Sequence, residues 1–126
     1  MGGRTQERLR FGRAAHLKAG RDFRRVRQQG TRLVWGCLIA NWQESPGTSA
    51  SRLGVITSAK LGNAVARSRA RRLLRECFRL HQHELARPLD LVLVARPSIA
   101  DKGLAEVERD FLTTLRKARL LKGTGA

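Results

Sequence analysis

The sequence has 126 residues, the size of one ordinary domain, and a 41% hydrophobic content that excludes a wholly disordered chain. Lys and Arg number 26 against 10 Asp and Glu, and the net charge of +16 points to a polyanionic partner, nucleic acid ahead of an acidic membrane surface. Cys37 and Cys77, far apart in apolar surroundings, read as buried free thiols; with no membrane-span-like stretch and no secretory signal, a cytoplasmic protein is expected.

Residues 1–16 carry Gly2, Gly3 and several arginines without periodicity, and read as a flexible basic arm. A short helix is predicted between Gly20 and Gly30, with Phe23 and Val26 on one face, Arg21, Arg24, Arg25 and Arg27 around them, and Gly30 as its stop. Leu33–Trp42 is rich in β-branched, aromatic and aliphatic residues and predicts one strand, straight or kinked at Gly36. Gln43–Ser51, which contains Ser45-Pro46-Gly47, predicts a hairpin loop returning into a second strand, Arg52–Ser58. Asn63 is a good cap for a long helix expected to reach about Leu85, beyond which Pro88 blocks continuation. Leu89–Ala95 suits a buried strand, broken by Arg96-Pro97. Leu104, Val107, Phe111, Leu115 and Ala118 mark a last amphipathic helix, roughly Gly103 to Leu121. With no repeat and no interdomain linker, the reading is one α+β domain over residues 17–122, followed by a disordered tail at 123–126.

The long helix is the informative element. From Lys60 to Arg79 the chain reads KLGNAVARSRARRLLRECFR, in which Lys60, Arg67, Arg69, Arg71, Arg72, Arg75 and Arg79 face a single acid, Glu76. At about 100° per residue, Ala66, Ala70, Leu73, Leu74, Cys77, Leu80 and Leu85 share one side. Arg69, Arg71, Arg72, Arg75 and Arg79 fall on the other, with Arg67 near the border. Solvated charged faces normally carry acids at i,i+4 spacing, which would relieve the repulsion. Their scarcity here predicts a phosphate-binding face, and the N–H groups of the first turn after Gly62-Asn63 add a candidate anion site. Glu76 reads as a surface partner for a neighbouring arginine. Pattern alone stops at an RNA- or DNA-binding α+β domain.

The same segment resembles the signature of the bacterial ribonuclease P protein family. Lys60, Gly62-Asn63-Ala64-Val65, Arg67-Ser68-Arg69, Arg71-Arg72 and Arg75-Glu76-Cys77-Phe78-Arg79 match it without gaps. The surrounding order is also similar: an early helix with Asp22-Phe23, two strands, the signature helix, a strand ending in Ala95-Arg96-Pro97, and a closing helix. Three positions depart from the family pattern. Ser68 replaces an Asn, Ala59 stands where a first Lys is common, and Arg27 replaces a second aromatic of the early helix.

The resemblance implies a small mixed sheet packed with helices in the order α-β-β(-β)-α-β-α, ribosomal protein S5 domain 2-like, with a left-handed βαβ crossover. It implies a subunit of an endoribonuclease that trims the 5′ leader of precursor tRNA. The catalytic RNA performs phosphodiester hydrolysis with Mg²⁺ that it holds itself, and the protein alone is not catalytic. On this reading Arg67, Ser68, Arg71 and Arg75 border a leader cleft. Phe23 and Val26 form its apolar wall, and Arg27, Ile56 and Ser58 adjoin it. Arg69 and Arg72 lean toward the RNA subunit, and Lys60, Asn63 and Arg79 complete the RNA-binding set. The expected partners are ribonuclease P RNA and precursor tRNA, with neither membrane nor DNA among them.

The residues themselves argue against protein-based chemistry. His81 and His83 are two apart on a helix and diverge, whereas helical zinc ligands prefer i,i+4 spacing. His16 is isolated, the acids are scattered, and neither cysteine sits in a nucleophile motif. A ribosome-associated structural RNA binder and a sequence-specific DNA binder are the rival readings. Zinc-finger spacing, a convincing helix-turn-helix, an RRM aromatic signature and a KH loop are all missing.

Overall fold

The structure is a computed structural model that describes residues 16–17, 20–45 and 50–123. The arm reading therefore falls outside the described residues up to position 15, as does the tail reading for 124–126. Helix α1 (Gly20–Gln29) leads into strands β1 (Thr31–Trp35), β2 (Leu38–Glu44) and β3 (Arg52–Ile56). Helix α2 (Ala64–His81), strand β4 (Leu89–Ala95) and helix α3 (Leu104–Lys117) follow. The four strands form one mixed sheet in the order β1-β2-β4-β3.

The expected single strand over Leu33–Trp42 is instead a hairpin. The chain turns at Gly36-Cys37 and pairs Trp35 with Leu38 and Thr31 with Trp42. Gly36 adopts φ 57°, which suits the first position of a two-residue hairpin turn, and a Cβ there would stand 2.2 Å from Asp110 Oδ2. That carboxylate accepts from Cys37 N at 3.0 Å, so α3 clamps the turn.

The predicted β2–β3 hairpin is not formed either. β4 inserts between the two strands, antiparallel to β2 and parallel to β3. The β3–α2–β4 unit is thus a crossover between neighbouring parallel strands. Leu53 O accepts from Leu17 N at 2.9 Å, and His16 bridges Leu53, so the chain already lines the β3 edge at a position assigned to the free arm.

Strand alternation sends Leu38, Ala40, Trp42, Leu53, Leu89, Leu91, Leu93 and Ala95 to one face. Ala70, Leu74, Cys77 and Phe78 of α2 cover them, together with Val107, Phe111 and Leu115 of α3. Phe78, wholly buried, falls outside the expected stripe although it lies between Leu74 and Arg71 on the wheel. Both thiols are buried and free, as expected, and desolvation pushes each up to about 12.

The long helices are shorter than predicted. After His81 the chain tightens into a 3₁₀ turn, Gln82–Glu84. Helix α3 ends at Lys117 because Arg119 turns to φ 60°, and the closing bonds run from Leu120 N to Leu115 O and from Arg119 N to Arg116 O. This is a Schellman cap with Arg where Gly is commoner. It frees Leu121 to pair antiparallel with Leu85, tying the end of α3 to the end of α2.

Candidate nucleic-acid interface

Helix α2 begins where the sequence placed it. Asn63 Oδ1 accepts from Ala66 N at 2.9 Å, so its carbonyl is committed to the cap. Lys60 is exposed on the 3₁₀ turn Ala59–Leu61 just before it. Ser68, Arg71, Arg72, Arg75, Glu76 and Arg79 line a shallow depression of about 450 Å³ along the exposed side of the helix. Arg79 grips Glu76 with two bonds, 2.9 and 2.7 Å, and they hold the Glu76 carboxyl below its usual range. The remaining arginines of the depression have no carboxylate partner among the described residues. Each retains donors in the planar fork that matches phosphate.

Two arginines are aimed by their neighbours. Arg71 Nη1 donates to Thr57 Oγ1 at 2.8 Å and its Nη2 donates to Ser68 Oγ at 3.1 Å, which pins the guanidinium beside the end of β3. Arg67 Nη1 donates to Gly62 O at 3.2 Å at the start of the helix. The grouping of Arg69 with Arg72 does not hold in space. Arg72 lines the same depression as Arg71 and Arg75, whereas Arg69 turns away and donates to Lys102 O. The two lie only about 60° apart around the helix axis, and Arg69 sits on the side that meets Lys102.

The opposite face of the sheet carries α1. Its core is small: Leu17, Val26 and Val92 are buried, with Phe23 and Ile56 packed against them. Phe23 lies on Gly54, where a Cβ would come within 2.4 Å of its Cζ; only a residue without a side chain lets the ring approach β3 this closely. Val26 is fully enclosed, so of the expected apolar wall only Phe23 has surface to offer.

What fastens α1 is a buried carboxylate. Asp90 is 0% exposed and accepts from Arg25 Nη2 at 2.7 Å, Arg52 Nη2 at 2.7 Å, Arg52 Nε at 2.8 Å and Ser45 Oγ at 2.9 Å. Arg25 also donates to Gln43. Burial by itself would raise the Asp90 carboxyl, but the bonds from Arg52, Arg25 and Ser45 outweigh it and hold the group low. None of these partners stands out in the sequence, because they come together only when β4 lies between β2 and β3.

Beyond α1, register aligns Val34, Ile39, Val94 and Ile56 in one row across all four strands. Val34 is 42% exposed and the other three are half-buried, so an aliphatic strip runs across the open part of this face. It ends at Ile56, close to exposed Ser58 and to Thr57, where Arg71 is bonded. Arg71, Ser58, Ile56 and Phe23 therefore border one continuous surface around the β3 edge. Arg27 lies at the other end of α1, exposed, beside Arg32 and Asn41. Val34, Ile39, Val94, Arg32 and Asn41 do not stand out in the sequence; the signal is strand alternation, obscured because β1 and β2 read as one strand.

The ribonuclease P family model matches residues 11–119, nearly the whole chain. The chain belongs to the ribonuclease P protein family. It is 32% identical over 110 residues to the ribonuclease P protein component of Brevibacillus brevis, covering 87% of each chain. To that of Alkaliphilus metalliredigens it is 34% identical, covering 83% of this chain and 94% of the relative. The Staphylococcus aureus RNase P protein structure superposes with a TM-score of 0.80 at 25% identity, covering 87% of this chain and 100% of that one. The Thermotoga maritima RNase P protein shares the fold at TM-score 0.73 and 24% identity, over 81% and 96%. The α+β reading and the family resemblance both stand. Among the described residues no helix is long and apolar enough to cross a membrane, and no group of three or more His, Cys, Asp or Glu gathers to hold a metal ion.

Proposed function

We propose that this chain is the protein subunit of a cytoplasmic ribonuclease P. In this role it binds the catalytic RNA and the 5′ leader of precursor tRNA, so that the leader is removed to leave the mature 5′ end. The carrying observation is the arginine face of α2, where Arg71, Arg72 and Arg75 have no carboxylate partner among the described residues, in a member of this family. Hydrolysis belongs to the RNA subunit and the Mg²⁺ it holds, which supplies the attacking water and steadies the leaving oxygen. The protein contributes phosphate neutralisation and a track for single-stranded RNA. Arg67 and Arg71 guide the backbone past the β3 edge, and Phe23, Ile56 and Ser58 receive it on the α1 face. Arg69, facing away from that track, is left for the RNA subunit.

Cleavage of a leader-bearing precursor at low, near-physiological Mg²⁺ tests this, comparing RNA subunit alone, protein alone and both. Cleavage only with both supports the subunit role. Cleavage by protein alone overturns the assignment of chemistry to RNA, and no stimulation of a compatible RNA points to a structural RNA binder. Reversing Arg71 and Arg75 to Glu should weaken holoenzyme binding of precursor far more than of mature tRNA. Equal losses would remove the leader track from α2. Ser68→Asn should leave precursor affinity unchanged or raise it, since a longer amide can still accept from Arg71.

A further inference from the structure

The end of α3 carries a basic cluster that neither the leader track nor the arginine face of α2 uses. Past Asp110 the sequence holds no acid, whereas Arg116, Lys117, Arg119 and Lys122 follow, all of them exposed. The acids along α3 and beside its end are engaged elsewhere. Glu106 accepts from Gly103 N, Asp110 accepts from Cys37 N, and Glu84 and Glu108 hold His81. Arg116 donates to Thr113 Oγ1 at 3.3 Å, a neutral partner that leaves its charge uncompensated.

Cations in a last helical turn are favoured by the helix dipole, which accounts for Arg116 and Lys117. It does not account for Arg119. This residue takes φ 60° just beyond the helix cap, where Gly avoids the steric cost that a side chain incurs. A guanidinium kept on such a backbone points to a use for the side chain.

Beside this cluster stands an aromatic ring. Trp35 ends β1, the edge strand farthest from β3, and is 40% exposed. Strand alternation turns it to the α3 side, away from Val34, and Lys117 Nζ lies 4.3 Å from its ring centroid. Trp42, the other tryptophan of the chain, is buried, as are Phe78 and Phe111. An exposed ring next to cations without carboxylate partners is the combination that holds unpaired nucleotides: the ring stacks a base and the cations take phosphates. A duplex hides its base faces, and an acidic protein or lipid surface has none. The ring therefore favours a single strand, which in this family is RNA.

We propose that Trp35, Arg116, Lys117 and Arg119 form a second single-stranded RNA site, in which Trp35 stacks a base and the three cations take the flanking phosphates. The site lies across the sheet from α1 and at the opposite edge from β3, so a leader on its track does not reach it. Its occupant is an RNA strand distinct from both the leader and the RNA subunit. The protein holds that strand while the holoenzyme is engaged with precursor.

The test uses the full chain with Trp42→Phe, reconstituted with the RNA subunit, so that Trp35 is the only tryptophan present. With precursor saturating, oligouridylate of about ten nucleotides should quench Trp35 emission. Trp35→Leu should weaken binding of a labelled oligouridylate, read by anisotropy, by about 5-fold or more, the share of one stacked base. Arg116→Ala/Arg119→Gly should reduce the salt slope of that binding by about 0.7 for each phosphate no longer neutralised, with precursor cleavage unchanged. Gly suits the backbone at position 119, so Arg119→Gly alone should weaken oligouridylate binding while the unfolding midpoint stays level or rises. Trp35 emission that oligouridylate does not change, or oligouridylate binding that disappears once precursor is added, would overturn the proposal. Loss of RNA-subunit affinity in Arg116→Ala/Arg119→Gly would also overturn it, by assigning the cluster to the RNA subunit.

Discussion

The two faces of the one sheet are built on different principles. Under α2 and α3 the sheet is sealed by large apolar side chains, with Leu38, Leu74, Leu91, Leu93, Phe78, Phe111 and Leu115 all at most 1% exposed. Under α1 the buried apolar cluster among the described residues is Leu17, Val26 and Val92, and the helix is fastened by a carboxylate shared between Arg25, Arg52 and Ser45. The first face supplies stability, because burial scales with apolar area. The second keeps an aliphatic strip and the arginines Arg24, Arg27 and Arg32 open to solvent. Directional bonds hold α1 in place there without covering the surface that a ligand needs. A chain with a net charge of +16 can expose that surface because its main core lies on the other side.

The two faces should differ most in their cores. Phe78→Ala should cost about 3–5 kcal/mol, against about 2 kcal/mol for Val26→Ala, measured by denaturant unfolding. A larger loss for Val26 would mean that the thin face carries more stability than its packing implies.

Asp90→Asn comes next, at about 2–3 kcal/mol, because two guanidinium groups lose a buried acceptor. The Asp90 carboxyl is held below its ordinary value, so its contribution is present above about pH 4 and disappears as pH falls through the folded value. The stability gap between wild type and Asp90→Asn should therefore stay level from neutral pH down to about 4 and narrow below it. A gap that widens in acid would refute this account of the α1 fastening.

Gly54→Ala probes the functional side of the contrast. Its Cβ displaces Phe23 at a cost of about 1–2 kcal/mol, and precursor binding should fall by several-fold with mature tRNA unaffected. Equal binding of the two RNAs by this variant, at wild-type strength, would detach Phe23 from the leader track.

The smallest effect belongs to the thick face. His81 lies between Glu84 and Glu108, 2.6 Å from each, and so joins α2 to α3. Desolvation opposes its charge, but the two carboxylates prevail and raise the group above its ordinary value. Its contribution is complete below about pH 6.5 and is lost as pH rises through the folded value. His81→Gln should cost less than about 1 kcal/mol at pH 6, since both glutamates are substantially solvated, and almost nothing at pH 9. Unfolding midpoints at the two pH values decide it.

Much of the site is legible in local sequence. A capped helix with an acid-poor arginine face is a property of neighbours three and four residues apart, and Asn63, Arg71, Arg72 and Arg75 stand where that spacing puts them. The pairing of Glu76 with Arg79 is readable for the same reason. The Gly36 hairpin is hidden inside a run that stays apolar on both sides of the turn, so composition shows one strand where there are two. His81 reads as a diverging histidine because its second carboxylate, Glu108, comes from another helix.

Local periodicity is enough to place the helices, their charge and the β4 strand, and an ungapped run of residues is enough to mark the family. The entry of β4 between β2 and β3 is instead a property of the assembled fold. That insertion aligns Val34, Ile39, Val94 and Ile56 in one row and gathers Arg25, Ser45 and Arg52 around Asp90. It also sets Asn41 against Val92, 51 residues away, with Arg24, Arg27 and Arg32 around it. Strand pairing at such separation is chosen by which faces can be buried together, a condition of the whole sheet that no short window of sequence contains.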